Sequence, residues 1–177
     1  GYTVRSALVV RPLKLAAPDL VGGSGATGST SFDVSFGYTG DYTAGAHGLE
    51  PAGLTEGNVL DDPANDINTA LGSGVGVTLE FIDVPAGTAL ARFSLFDAYT
   101  DGNDDLDLYV FGPSGFVGGS GSGTSAEEVN VVFPDEGTYI VVVHGWQTDG
   151  PDANYTLFDW SVSATPGVGP YPLTLDS

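Results

Sequence analysis

The chain has 177 residues, 41% of them apolar, with 27 Gly, 11 Pro, no Cys, and 23 Asp+Glu against 4 Lys+Arg for a formal net charge of −19. Disulfide staples and thiol chemistry are excluded, and the apolar share is too high for a disordered acidic tail. Nucleic acid and anionic membranes are poor partners, because binding phosphates needs basic side chains.

Residues 1–12 read as the terminal strand of a preceding domain or as a linker, with Val4 to Val10 strand-like and Arg11-Pro12 interrupting it. Residues 13–164 read as one β-sandwich domain and 165–177 as a C-terminal tail. The first clear period-2 alternation is Ser31 to Tyr38, with Phe32, Val34, Phe36 and Tyr38 on one face, which predicts a half-buried strand. Asp62 to Leu71 predicts a short helix capped by Asp62, with Pro63 at its first position, or a structured loop. Further strands are predicted at Val77 to Val84, Ala89 to Asp97, Asp105 to Phe111, Glu128 to Phe133, Gly137 to Gly145 and Asn154 to Ser163. Turn-rich joints such as Gly112-Pro113-Ser114-Gly115 separate them, and Gly118 to Gly123 reads as a flexible loop. Seven strands without intervening long helices predict an all-β, antiparallel β-sandwich. No run of about 18 apolar residues is present, so no spanning helix is predicted.

The acidic residues are 17 Asp and 6 Glu, and the Asp residues gather in Gly/Asn-rich turns. The densest set is Asp97, Asp101, Asn103, Asp105 and Asp107. Asp101, Asn103 and Asp105 alternate through a Gly-containing turn, the way a loop wraps oxygens around Ca²⁺. Asp105 and Asp107 then enter a strand at i and i+2 and share one face, leaving Leu106, Leu108 and Val110 for the core. Carboxylates this close repel one another, and a divalent cation relieves that. The alternative is an Asx-rich turn with solvated carboxylates, or an acidic coat adapted to salt. A second cluster, Asp61, Asp62, Asn65, Asp66 and Asn68, and a third, Asp149 with Asp152, read either as ligands or as capped turns.

No catalytic constellation is present. The two histidines, His47 and His144, lack zinc-site spacing, and Gly119-Ser120-Gly121-Ser122-Gly123 has the letters of a nucleophile elbow without a strand before it and a helix after it. The aromatics of the later strands mostly suit sheet packing. Trp146, in a turn region after a strand, is the candidate substrate contact, and Tyr109 is a second.

Leu106-Asp107-Leu108-Tyr109-Val110, the turn Pro113-Ser114-Gly115, the strand Gly137-Thr138-Tyr139-Ile140-Val141 and the closing Asn154-Tyr155-Thr156-Leu157 form an ordered set over residues 88–163. Together they resemble the bacterial pre-peptidase C-terminal domain. Tyr2 to Pro12 is similar to the last strand of the fibronectin-III-like domain of subtilases, with Ala7 where those carry Pro. The resemblance implies a sandwich of jelly-roll type, non-catalytic, appended to a secreted, extracellular subtilisin-like serine protease whose catalytic domain is its partner. It also implies Ca²⁺ held by Asp105 and Asp107, with Asp97, Asp101 and Asn103 next, and a role in stability, maturation or attachment to an insoluble protein such as collagen.

Overall fold

A computed structural model describes residues 14–18 and 21–165, so the expected strand at Val4 to Val10 and the tail lie outside the described residues. The chain divides into two units, Gly1–Ala44 and Gly45–Ser177.

In the first unit, β1 (Leu15–Ala16) and β2 (Ser35–Phe36) form a two-stranded antiparallel pair. The long strand expected at Ser31 to Tyr38 shrinks to those two residues of β2. Alternation holds a strand only where one face has a core to bury against, and Phe32, Phe36 and Tyr38 are all exposed. Phe36 instead meets Tyr38 and Tyr42 edge-on, at 5.9 and 4.9 Å between ring centroids.

The second unit holds β3 (Gly53–Leu60), α1 (Ile67–Ser73), β4 (Val77–Val84), β5 (Thr88–Ser94), β6 (Asp105–Gly112), β7 (Gly115–Ser120), β8 (Glu128–Val132), β9 (Gly137–Gln147) and β10 (Asp152–Ser163). One sheet has the order β3-β10-β5-β8 and the other β4-β9-β6-β7, and every pairing is antiparallel. The pairs β3·β10, β4·β9, β5·β8 and β6·β7 are those of one long hairpin folded over on itself, which is jelly-roll topology.

The core lies between the sheets. Val59, Ala91, Phe93, Val129, Ala153, Tyr155 and Leu157 of the first sheet meet Val84, Leu106, Leu108, Val110, Tyr139, Val141 and Val143 of the second. Phe93 stacks on Tyr139 at 5.8 Å, and the buried Tyr155 hydroxyl crosses the gap to donate to Glu80 Oε1 at 2.8 Å. The alternation of Leu106, Leu108 and Val110 therefore does what the sequence reading expects of it.

Two strands of the second unit were not expected. β3 carries Gly53 and Gly57 and buries only Val59 fully, so its apolar signal is weak. Gly57 is needed there, because a Cβ would sit 2.4 Å from the Tyr155 hydroxyl oxygen that lies over it. β7 occupies the front of the Gly/Ser run read as a flexible loop. Its backbone pairs with β6 from Gly112↔Gly115 to Leu108↔Ser120, so ladder bonds rather than side chains hold it.

The helix begins later than the sequence suggested. Asn65 adopts φ 47°, a left-handed conformation through which a helix cannot run. Asp66 is the cap, its Oδ1 accepting from Thr69 N at 2.8 Å, and Gly74 closes the C-terminus at φ 75°. Asp62 belongs to the preceding turn, accepting from Ala64 N at 3.0 Å and Asp66 N at 2.8 Å. α1 packs on β4 and β9 and buries Ala70.

Candidate functional site

The five expected ligands do not converge. Among the described residues no group of three His, Asp or Glu side chains is placed to hold a metal ion. Asp101 is exposed and tied to the start of β10, accepting from Asn154 N at 2.8 Å and Asn154 Nδ2 at 2.5 Å. These bonds from Asn154 hold the Asp101 carboxyl below its ordinary pKa. Asp107 is buried on the outer face of the second sheet, with Oδ2 accepting from the Tyr109 hydroxyl at 3.1 Å and standing 3.5 Å from His144 Nδ1. Asp105 has a buried Oδ1 without a partner, and burial, with Asp107 and Glu127 nearby, raises its pKa.

Asp97 and Asn103 do meet, in a polar cavity of about 250 Å³ that Gly102, Asp104, Gly123 and Thr124 also line. Asp104 is the residue that sequence reasoning passed over. It is only 6% exposed, its Oδ1 accepts from Asp149 N at 3.0 Å, and its buried Oδ2 has no partner. Burial raises its pKa. Asp149 returns the contact by accepting from Asn103 N at 3.0 Å, so the third acidic cluster closes this loop. Asp152 accepts from Asn58 Nδ2 at 2.8 Å on the β3–β10 ladder. Asp97, Asn103 and Asp104 carry side-chain oxygens of the kind hard cations take as ligands. Asp105 and Asp107 are not part of this set.

The second cluster is spent on turns and on a buried histidine. Asp61 accepts from Thr148 N at 2.9 Å, and Asn65 Nδ2 donates to the Trp146 carbonyl. Asp66 caps α1, and its bonds from Thr69 lower its pKa. Asp62 Oδ2 lies 3.0 Å from His144 Nε2, and His144 is fully buried between Asp62 and Asp107. Burial alone would raise the Asp62 pKa, but His144 and the amides of Asp66 and Ala64 outweigh it and the net shift is downward. Burial likewise pulls His144 down, yet Asp107 and Asp62 outweigh it and the net shift is upward. The two carboxylates thus favour the protonated imidazole more than water does around a free histidine.

Trp146 and Tyr109, the expected contact residues, are brought together. They line one open depression of about 530 Å³ over β6 and β7, with Asp107, Phe116, Gly119 and Gly121 among its other walls. Behind it Glu127 is buried, accepting from Ser122 N at 2.6 Å and from the Ser120 hydroxyl. Nothing in the sequence marked Glu127, because its partners come from the Gly/Ser run that looked structureless.

Residues 80–145, from within β4 to within β9, match the family of the bacterial pre-peptidase C-terminal domain. The chain is 32% identical over 152 residues to pyrolysin of Pyrococcus furiosus, a match covering 84% of this chain and 10% of pyrolysin. The chain therefore spans about a tenth of the length of that relative. Among solved structures, the crystal structure of Aeromonas hydrophila PliG, a periplasmic lysozyme inhibitor of g-type lysozyme, aligns over 70% of this chain and 92% of its own at 15% identity and a TM-score of 0.38.

Proposed function

We propose, from the premise that residues 80–145 are a bacterial pre-peptidase C-terminal domain, that the chain serves as a calcium-steadied accessory domain of a secreted, subtilisin-like serine protease. In this reading the domain is a non-catalytic accessory module, which the family match and the resemblance to subtilases support. Among the described residues no helix is long and apolar enough to cross a membrane. In this reading the domain acts outside the cell, with the catalytic domain of its own protease as partner, and stabilises or helps mature that enzyme.

The observation that carries the calcium part is the unpartnered, buried Asp104 Oδ2 beside Asp97 and Asn103. A buried carboxylate oxygen without a donor is costly, and a cation in the cavity would satisfy it. An ion that binds only the folded state raises the melting temperature once its concentration exceeds its dissociation constant. The expected result is a higher melting temperature in millimolar Ca²⁺ than in EDTA, at matched ionic strength, with the difference abolished by Asp104→Asn. Identical melting in Ca²⁺ and EDTA would remove the ion from this reading. A rise with NaCl alone would assign the acidic surface to salt adaptation.

A second reading, attachment to an insoluble protein substrate such as collagen, is favoured by the shared depression of Trp146 and Tyr109. Retention of the domain on insoluble collagen or elastin, reduced by Trp146→Ala, is the expected result. Passage of the unmodified domain through both would exclude those targets.

A further inference from the structure

We propose that the depression over β6 and β7 is a binding site for a cationic side chain, arginine or lysine, presented by another polypeptide. This deepens the attachment reading and rests on it. Three aromatic rings surround the depression: Tyr109 from β6, Phe116 from β7 and Trp146 from the end of β9. Phe116 is 60% exposed and Trp146 37%, so both rings present a face to solvent. The Asp107 carboxylate lies among them. Its Oδ2 is engaged by the Tyr109 hydroxyl and stands near His144, while Oδ1 lies toward Gly121.

Glycine is required at the open side. A Cβ on Gly121 would fall 2.7 Å from Asp107 Oδ1, and one on Gly119 would fall 3.0 Å from Tyr109 Cδ1. Any side chain there would crowd the carboxylate and the ring, so glycine at these two positions lets Asp107, only 5% exposed, border the depression. The volume, about 530 Å³, is within the range of small-ligand sites and admits one long side chain.

The surroundings stay acidic with His144 counted, because one imidazole stands between two carboxylates, Asp62 and Asp107, and Glu127 lies behind them. Among the described residues no lysine or arginine lines the depression, and Arg92, on the other sheet, is paired with Glu128 at 3.3 Å. Asp107, Glu127 and Asp66 all bear on the Tyr109 phenol, which burial and then these charges push up to about 12. Aromatic faces around a carboxylate attract a cation by charge and by the ring quadrupole together. The net charge of −19 steers such a partner toward the domain. A neutral sugar could also stack on Trp146, but the negative field gives it no added attraction.

The test follows the indole N–H signals of Trp146 and Trp160 in the NMR spectrum of the whole chain, assigned with Trp146→Phe. The probes are blocked Gly-Gly-Xaa-Gly-Gly peptides with Xaa as Arg, Lys, citrulline or Glu, together with cello- and chito-oligosaccharides. Arg and Lys peptides are expected to shift the Trp146 signal saturably, and citrulline and Glu peptides are not. The apparent Kd should rise about tenfold or more from low salt to about 1 M NaCl, where charges are screened beyond about 3 Å. In Trp146→Ala, which keeps the full charge, saturable binding should vanish when followed by backbone amides. Phe116→Ala, on an exposed ring, should weaken it at least about threefold. Equal response to citrulline, undiminished binding in Trp146→Ala, or a shift produced by oligosaccharides instead would overturn the proposal. Retention on collagen without any response to Arg or Lys peptides would leave the attachment reading standing and remove this one.

Discussion

His144→Ala is expected to lower the unfolding free energy by about 3–5 kcal/mol, the range for removing one partner of a buried ion pair. The ring is fully buried, with Asp62 Oδ2 at 3.0 Å and Asp107 Oδ2 at 3.5 Å on its two nitrogens. Deleting it leaves two buried carboxylates facing a void without their countercharge, held only by the Ala64 and Asp66 amides and the Tyr109 hydroxyl. Urea unfolding of the variant checks the size, and a loss below about 1 kcal/mol would mean that water replaces the ring. His144→Gln, which retains an N–H toward Asp62, should lose less.

The same trio sets the pH response. The folded pKa of His144 lies above its ordinary 6.5, so its stabilisation is complete below that value and is lost as pH rises through the folded pKa. Asp62 is shifted below 3.8, so its contribution is present above that value and is lost as pH falls through the lower folded pKa. Asp104 and Asp105 are shifted upward by burial, so their penalty is relieved on acidification and offsets part of the loss from Asp62. The alkaline limb is therefore the clean signature. Stability should fall with pH above 6.5, by at most about 1.4 kcal/mol per pH unit for one proton, and the limb should be flat in His144→Gln. An unchanged slope in that variant would assign the limb to another group.

Gly145→Ala should destabilise by about 1–3 kcal/mol or more through overpacking. A Cβ there would stand 2.4 Å from the Leu60 carbonyl oxygen and 3.2 Å from its carbon, and backbone cannot rotate aside as a side chain can. Leu60 is held by its pairing with Asp152, and Gly145 is held from both sides. Its carbonyl accepts from Asp62 N at 2.8 Å and its N–H donates to Gly76 O at 3.0 Å. Relief would have to come from shifting the end of β3 or the turn that carries Asp62, which would also disturb His144. Gly150→Ala, where a Cβ would come no closer than 3.6 Å to a neighbouring atom, is the matched control and should be nearly neutral. A Gly145→Ala chain as stable as the control would show that β3 and β9 can separate freely at this point.

The all-β class and six strands of the sandwich are legible in the residues themselves, as is the likeness to the pre-peptidase C-terminal domain that residues 80–145 match. Period-two alternation marks them, as in β6, where Leu106, Leu108 and Val110 enter the core, and that period is written locally in the chain. Strands held by ladder bonds rather than side chains, β7 above all, leave no such pattern. The alternation of Ser31 to Tyr38 shows the converse, a pattern without a core to receive it.

Topology, not spacing along the chain, brings the site partners together. Asp62 reaches His144 across 82 residues, since β4 pairs with β9 and carries the preceding turn over the outer sheet face. That meeting withdraws Asp107 from the loop carboxylates next to it in sequence, and burial picks out Asp104 from among its acidic neighbours. The β6–β9 and β6–β7 pairings likewise set Tyr109, Trp146 and the glycines of the Gly/Ser run around one carboxylate. Residue type shows which side chains can bind an ion or a ring. The strand order of the jelly roll decides which of them face the same point, because each sheet joins segments far apart in the chain.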